Sequence, residues 1–170
     1  MWRVGIVTAS DKGARGERED RSGEEIRRLL REPDFEVSAW EVVPDEQGRI
    51  KEVLIRMADT ERLDLVLTTG GTGLAPRDVT PEATRDVIGR EVPGIPEAMR
   101  LASLRKTPFG MLSRGVAGLR GKTLIINLPG SPKAVRECLE AVLPVLPHAL
   151  ETMTGEFGDH GESLSFKRKS

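Results

Sequence analysis

Three glycines within four positions follow an apolar run at residues 65–69, and this segment carries the strongest chemical signal in the chain. The run reads Leu-Val-Leu-Thr-Thr, and Gly70, Gly71 and Gly73 come directly after it. Such a run predicts a buried parallel strand, and glycine lets backbone N–H groups approach an anion closely. Asp78 lies five residues beyond the last glycine. The segment therefore predicts an anion cradle with a carboxylate beside it.

This signal has a plainer alternative, because many glycine-rich turns only reverse the chain. No Lys-Ser or Lys-Thr pair follows Gly73, as a Walker loop would require, and the spacing is not GxGxxG. The generic nucleotide motifs are therefore excluded. Asp78 can also mark a helix entry for purely local reasons, because aspartate favours turns.

Other candidate residues follow other apolar runs. Asp45 comes after Pro44, where it can act in a site or cap a turn. Ser131 can bind an anion at a helix N-terminus, cap that helix, or do both. Lys133 can add charge there, although an exposed lysine in a first turn is more often simply solvated. The Asn127–Ser131 loop also contains Pro129 and Gly130.

Two further groups stay open between a functional and a structural role. Ser10, Asp11, Asp20 and Ser22 flank the start of the first predicted helix. They can contact a substrate, or they can form a charged surface loop in which Asp20 or Ser22 caps the helix. Glu82 can support Asp78, or it can complement the positive end of its helix.

The elements that must position these residues alternate between strand and helix. Strands are predicted at residues 2–9, 35–43, 63–69, 115–119 and 122–128. Helices are predicted after Asp20, around Ile50–Met57, over 80–88 with Thr80 as N-cap, from Pro93, and from Ser131; residues 10–20 and 107–114 are predicted as loops. This order predicts a layered α/β domain with a mostly parallel sheet.

Parallel strands would bring the candidate loops together. In such sheets ligands bind beyond the carboxyl ends of the strands. The loops containing Ser10-Asp11, Asp45, Gly70–Asp78 and Asn127–Ser131 would then share one edge. Their convergence favours a binding site more strongly than any single motif does.

Composition narrows the function classes. The 170 residues suggest one domain over 1–155, with a C-terminal tail over 156–170 that we expect to be partly mobile. The net charge of −1 gives no sign of nucleic-acid or membrane binding. One cysteine and two histidines do not form a zinc pattern, although acidic oxygens can hold Mg²⁺. The chain starts directly in a strand pattern, so we expect a cytoplasmic protein without a signal peptide.

As a set, the motifs resemble the molybdopterin adenylyltransferase family of molybdenum cofactor synthesis, which includes MogA/MoaB-like proteins and the gephyrin G domain. The resemblance covers roughly residues 4–150. The matching segments are Val42-Val43-Pro44-Asp45-Glu46, Thr68-Thr69-Gly70-Gly71-Thr72-Gly73, Arg77-Asp78-Val79-Thr80-Pro81-Glu82-Ala83-Thr84, Glu91-Val92-Pro93-Gly94 and Asn127-Leu128-Pro129-Gly130-Ser131-Pro132-Lys133.

The resemblance implies a three-layer α/β/α domain and a specific reaction. Members of the family transfer AMP from ATP to the terminal phosphate of molybdopterin and release pyrophosphate, assisted by Mg²⁺. It implies that Asp45 and Asp78 are catalytic and hold the metal. The predicted substrate and phosphate contacts are Ser10, Asp11, Gly70, Gly71, Thr72, Gly73, Pro129, Gly130 and Ser131, with support from Asp20, Ser22, Thr80, Glu82 and Lys133.

The resemblance also implies a homotrimer, or a hexamer as in the MoaB branch, and an enzyme that inserts molybdate as the next partner. Residues 127–133 look more like the adenylyltransferase branch. A non-catalytic molybdopterin-binding protein of the MoaB branch is the alternative. A scaffold role like that of gephyrin depends on further domains, for which we expect no room in 170 residues. Ser10-Asp11-Lys12 departs from the Ser-Asp-Thr or Ser-Asp-Arg frequent in the family, and the C-terminal end is short.

Overall fold

Apolar and β-branched runs form six strands in the computed structural model, which describes residues 1–31 and 33–155. The strands are β1 (Trp2–Ala9), β2 (Phe35–Val43), β3 (Leu65–Thr69), β4 (Arg90–Glu91), β5 (Ala117–Arg120) and β6 (Thr123–Leu128). They form one sheet in the order β2-β1-β3-β6-β5-β4. Strands β2, β1, β3 and β6 are parallel, whereas β5 is antiparallel to β6 and β4 to β5. The mostly parallel sheet is thus confirmed.

Seven α-helices connect and cover the strands. They are α1 (Asp11–Ala14), α2 (Arg21–Leu29), α3 (Gln47–Ile55), α4 (Thr80–Val87), α5 (Gly94–Leu104), α6 (Pro132–Val142) and α7 (Leu146–Thr154). A π-helical turn extends α3, and short 3₁₀ turns precede β5 and α7. The turn before α7 contains Pro144, which lacks a backbone N–H and interrupts the helix there. None of the helices in residues 1–31 and 33–155 combines the length and the apolar character needed to cross a bilayer.

Side-chain alternation along the strands divides the core into two layers. Val4 and Ile6 of β1 pack with α2, α5, α6 and α7, whereas Val7 and Ala9 pack with α3 and α4. The central strands are apolar on both faces because helices cover both. The structure therefore confirms the predicted three-layer α/β/α arrangement.

Some local predictions were wrong. Residues 10–20 are not entirely loop, because α1 forms within them, and the two-residue strand β4 was not predicted. Thr80 is the first helical residue of α4, and Val79 occupies the N-cap without a side-chain cap. The backbone N–H of Thr80 instead donates to the Gly71 carbonyl at 3.1 Å. The glycine loop therefore supplies an acceptor for one of the first N–H groups of α4, which have no partner within the helix. The predicted tail, residues 156–170, lies outside the described residues.

A buried carboxylate fixes two helices that border the edge of the sheet. Glu25 on α2 is 8% exposed and accepts from the Arg28 and Arg136 guanidinium groups at 2.7 and 2.5 Å. Arg136 belongs to α6. These hydrogen bonds lower the pKa of Glu25 from 4.5 to about 2, and the Arg28 guanidinium has a larger effect than the Arg136 guanidinium. The interaction therefore fixes α2 against α6 while Glu25 is ionised.

We expect Glu25→Gln to lower the free energy of unfolding by about 1–2 kcal/mol at neutral pH, since it weakens three charge-assisted hydrogen bonds from two arginines that remain half exposed. A lowered folded-state pKa gives stability that is present above 4.5 and is lost as the pH falls towards 2. Urea unfolding at several pH values should therefore show the difference between wild type and variant shrinking below about pH 4.5.

Glu24→Gln is the matched control, because Glu24 pairs with Arg27 at the same spacing on the same helix but at the surface. We expect it to lower the free energy of unfolding less than Glu25→Gln does, because solvent screens the exposed Glu24–Arg27 pair. Equal losses in the two variants, or a difference that does not depend on pH, would contradict the role assigned to Glu25.

Candidate active site

The carboxyl ends of the four parallel strands surround a cavity of about 870 Å³, which we call cavity A. It lies beside β1 and β3, where the chain leaves β1 towards β2 on one side and leaves β3 towards β4 on the other, the place where open α/β sheets bind ligands. Nine residues predicted as site residues line it, from all four strand-end loops and the start of α2: Ser10, Asp20, Ser22, Asp45, Gly70, Gly71, Asp78, Gly130 and Ser131.

The glycine loop, residues 70–78, turns sharply at the end of β3. Gly70 and Gly71 both have positive φ, +88° and +67°, a conformation that favours glycine. A Cβ on Gly70 would collide with the Ala9 carbonyl, and one on Gly71 would collide with Thr80 Oγ1. Within the described residues, no group accepts from the backbone N–H of Gly71, Thr72 or Gly73. The loop therefore presents three successive free donors, which suits an anion.

Asp45 is held by the loop that follows β1. Its Oδ2 accepts from the Asp11 N–H at 2.9 Å, and Asp11 Oδ1 accepts from the Asp45 N–H at 3.0 Å. Arg77 then binds the Asp11 carboxylate through Nε and Nη2 at 2.6 and 2.9 Å. Three strand-end loops are thereby joined through Asp11, which orients Asp45 and does not itself line cavity A.

The electrostatics of Asp45 and Asp11 differ. Partial burial is the main cause that raises the pKa of Asp45, and the neighbouring carboxylates of Asp11 and Asp78 raise it further. The Arg77 guanidinium lowers the pKa of Asp11 from 3.8 to about 2. Asp11 is thus firmly anionic, whereas the ionised form of Asp45 would gain from a nearby cation.

The donors around Gly71 fit a hydrated Mg²⁺. Asp45 Oδ1 and Thr80 Oγ1 both face the Cα of Gly71, and Thr80 Oγ1 is fully buried without a hydrogen-bond partner in the described part of the chain. Asp78 uses Oδ2 to accept from the Ala75 N–H at 3.0 Å. No cluster of three or more acidic, histidine or cysteine side chains suited to a metal occurs in residues 1–31 and 33–155. Magnesium commonly takes one or two carboxylates and completes its shell with water and substrate phosphate, which this donor set allows.

Two helix N-termini also meet at cavity A. Asp20 caps α2 by accepting from the Gly23 N–H at 2.9 Å, and it accepts from Thr8 Oγ1 and Trp40 Nε1 as well. Ser131 caps α6, and Ser22 Oγ donates to the Gly130 carbonyl at 2.5 Å. The capping alternatives for Asp20 and Ser131 are therefore observed, and both residues still line the cavity. Helix N-termini add partial positive charge for an anion.

A second cavity of about 410 Å³, cavity B, lies on the other side of the glycine loop. It shares Gly71, Asp78 and Gly130 with cavity A. Its walls are more apolar, with Met99, Phe109 and Leu112 among them. Thr72, Gly73 and Pro129 line cavity B and not cavity A. Because Asp78 lines both cavities, a molecule in either cavity can reach its carboxylate.

Four predicted residues line neither cavity: Asp11, Thr80, Glu82 and Lys133. Asp11 and Thr80 lie next to Asp45 and Gly71, as described above. Glu82 forms an ion pair with Arg114. Lys133 is 83% exposed and lies 3.9 Å from Glu137, which agrees with its alternative as a solvated lysine.

Sequence reasoning missed two arginines that hold the site. Arg77 was quoted within a motif but given no role, although its position beside Asp78 was a usable signal. Arg114 lies in a segment predicted as an irregular loop, and no local pattern marks it. Arg18 and Arg21, which line cavity A, were also missed.

The chain matches a protein family described as a probable molybdopterin binding domain over residues 5–148. It is 46% identical to a molybdopterin adenylyltransferase of Helicobacter pylori strain J99, over 91% of this chain and 89% of that protein. The chain belongs to this family. The Escherichia coli K12 protein named molybdopterin adenylyltransferase is 44% identical, over 82% of this chain and 73% of its own length.

Solved structures agree with this membership. The crystal structure of the molybdopterin biosynthesis enzyme MoaB from Thermus thermophilus is 66% identical to this chain, with a TM-score of 0.87, and the match covers 92% of this chain and 98% of that one. The family resemblance inferred from the motifs is thus confirmed.

We expect Gly71→Ala to weaken the binding of Mg²⁺-pyrophosphate at least tenfold, measured by titration calorimetry. A Cβ there would collide with Thr80 Oγ1, and the positive φ disfavours the observed turn by about 1–2 kcal/mol for a residue with a Cβ. The turn would therefore relax in the free protein, and restoring it when pyrophosphate binds would cost roughly one factor of ten in affinity.

Gly48→Ala is the matched control, since nothing lies within 4 Å of a Cβ placed on this helical glycine. It should bind pyrophosphate like the wild type. If Gly71→Ala keeps the wild-type dissociation constant while its circular dichroism spectrum is unchanged, the glycine turn serves only to reverse the chain.

Proposed function

We propose that this chain catalyses Mg²⁺-dependent transfer of AMP from ATP to molybdopterin, forming adenylyl-molybdopterin and pyrophosphate. A terminal phosphate oxygen of molybdopterin forms a bond to the α-phosphorus of ATP, and the bond from that phosphorus to the β-phosphate bridging oxygen breaks. The main support is that the glycine loop with its free amides and Asp78 lie between two adjoining cavities, with Asp45 on the wall of cavity A. Relatives named molybdopterin adenylyltransferase support the same reaction.

The main task of the site is alignment and neutralisation of charge. The attacking phosphate is already ionised at neutral pH, so no strong general base is required, and the two polyanions repel each other. The free N–H groups of Gly71, Thr72 and Gly73 bind phosphate oxygens, and the N-termini of α2 and α6 add positive potential. The glycine loop thereby holds the two reacting groups at the boundary between cavities A and B.

The acidic groups have a second task. Glu19, Asp20, Asp45 and Asp78 outnumber Arg18 and Arg21 around cavity A, so a bare polyphosphate would meet net repulsion. Asp45 and Asp78 would hold Mg²⁺, with Thr80 Oγ1 able to bond one of its waters. Bound Mg²⁺ supplies charge neutralisation between phosphate oxygens. Asp11 and Arg77 keep Asp45 in place for this role.

We expect Asp78→Asn and Asp45→Asn each to lower the rate of adenylyl transfer by at least about 100-fold, because a displaced cation forfeits charge stabilisation in the transition state. Pyrophosphate release with ATP, Mg²⁺ and molybdopterin under anaerobic conditions measures this rate. Added Mg²⁺ should restore part of the activity if the loss comes from weaker metal binding.

Asp86→Asn is the control, since Asp86 is a surface carboxylate of α4 that pairs with Lys51 and lines neither cavity. It should retain wild-type turnover. Near-normal turnover in Asp78→Asn would remove Asp78 from the mechanism, and the same holds for Asp45.

The alternative is a molybdopterin-binding protein of the MoaB branch that does not use ATP; the 66% identical structure bears the name MoaB, although its title also calls it an enzyme. One incubation separates the two functions. Adenylyl-molybdopterin and pyrophosphate appear together if the chain is an adenylyltransferase. Tight molybdopterin binding without either product would support the alternative.

We also propose that the protein acts as a homotrimer, with a hexamer as the alternative, and passes its product to an enzyme that inserts molybdate. Exposed apolar side chains on α5 and the 3₁₀ turn packed against it support self-association: Leu101, Leu104, Phe109, Met111 and Leu112. Light scattering should give the mass of three copies. A monomeric mass at micromolar concentration would contradict this assembly. The cytoplasmic location stays a prediction.

A further inference from the structure

We propose that Arg114 is a positioning residue that fixes the orientation of the amides in the glycine loop, with Glu82 holding its guanidinium. This inference rests on the proposed adenylyl transfer and adds a residue to its machinery. Arg114 lines neither cavity A nor cavity B, so it acts from behind the loop and not on the substrate.

One residue makes most of the contacts that fix the back of the loop. The backbone N–H of Arg114 donates to the Thr72 carbonyl at 2.9 Å. Its Nε donates to the Gly73 carbonyl at 2.7 Å, and its Nη2 donates to the Asp78 carbonyl at 2.6 Å. Both ends of the segment between Gly73 and Asp78 are therefore bound to the same guanidinium.

These contacts determine where the free N–H groups point. A trans peptide is planar, so its C=O and the N–H of the next residue point in opposite directions. Fixing the Thr72 carbonyl directs the N–H of Gly73 away from Arg114, and fixing the Gly73 carbonyl does the same for Leu74. The Gly71 carbonyl, which accepts from the Thr80 N–H, fixes the N–H of Thr72 in the same way. The N–H groups of Thr72, Gly73 and Leu74 are thereby oriented through the preceding carbonyls, and Arg114 holds the carbonyls that orient Gly73 and Leu74.

Arg114 is itself held from several directions. Glu82 on α4 accepts from its guanidinium, which is the main cause of the lowered pKa of Glu82. Arg100 Nη1 donates to the carbonyls of Ser113 and Gly115, the residues on either side of Arg114. With its rotamer and backbone fixed, Arg114 transmits the position of α4 and α5 to the glycine loop.

Lysine cannot replace this arrangement, although it keeps the charge. The guanidinium reaches two carbonyls and a carboxylate at once through a planar set of donors, whereas an ammonium is a single point. We therefore expect Arg114→Lys to leave the loop present but less ordered. A displacement of about 1 Å at the reacting groups can cost up to about 100-fold in rate.

Arg120→Lys is a matched control. Arg120 also binds one carboxylate, that of Asp59, and one backbone carbonyl, that of Val87, and it lines neither cavity. Both substitutions remove an arginine–carboxylate pair at a half-buried arginine, together with one backbone-carbonyl contact at Arg120 and two at Arg114. Their effects on thermal stability should be similar, so a loss of kcat in Arg114→Lys alone would come from positioning and not from lower stability.

The test measures kcat, KM for ATP, thermal stability and pyrophosphate affinity for the wild type and both lysine variants, well below their unfolding temperatures. We expect Arg114→Lys to lower kcat by about 10–100-fold and to change KM less than kcat. Arg120→Lys should keep wild-type kcat. Low millimolar guanidinium should restore activity to Arg114→Ala and should not affect Arg120→Ala.

Two results would overturn the proposal: wild-type kcat in Arg114→Lys, or equal losses of kcat in both lysine variants. Pyrophosphate affinity, measured by calorimetry, keeps this test separate from that of the proposed function. If the wild type forms no adenylyl-molybdopterin, the proposed function fails, yet weaker pyrophosphate binding in Arg114→Lys alone would still support the positioning role. In that case, unchanged pyrophosphate binding in Arg114→Lys would refute the positioning role.

Discussion

The site depends on a single backbone constraint: the chain must turn at Gly70 and Gly71 with positive φ while touching the end of β1. A side chain at Gly70 would collide with the Ala9 carbonyl, so the turn could not lie against its neighbouring strand. Because the turn is this tight, its carbonyls face Thr80 and Arg114 and its amides stay free. The free amides, the position of Gly71 near Asp45 and the boundary between the cavities all follow from that geometry.

The acidic residues at this edge would repel one another without a specific set of partners. Arg77 neutralises Asp11, and Asp11 in turn offers its backbone N–H to Asp45. Burial and the nearby carboxylates still raise the pKa of Asp45, so the unliganded site holds a carboxylate that is costly to ionise. A substrate that arrives with its own cation relieves this cost. The charge balance therefore supports the proposed use of a Mg²⁺-bound nucleotide.

Sequence patterns predicted the elements that depend on local apolar spacing. The bounds of β1 and β2 agree with the structure, and parallel pairing brought the candidate loops to one edge as expected. Tertiary contacts decided the rest. Thr80 was predicted as the N-cap, but it is the first residue of α4 and Val79 is the N-cap. The backbone N–H of Thr80 donates to the Gly71 carbonyl, a contact that local patterns do not reveal. Arg114 was missed because its partners are backbone carbonyls 36 and 41 residues away, and backbone partners leave no signature in side-chain patterns.

Two adjoining cavities favour a transfer reaction over simple binding. A module that only binds molybdopterin needs one pocket, whereas adenylyl transfer needs two polyanions whose phosphates meet. The residues common to cavities A and B are two glycines and one carboxylate, Gly71, Gly130 and Asp78, which are suited to close backbone approach and to a cation. A carboxylate at a phosphate contact would weaken binding on electrostatic grounds alone. Its presence is reasonable if Asp78 would help to hold a Mg²⁺ ion that offsets phosphate charge, a need that adenylyl transfer creates and molybdopterin binding alone does not.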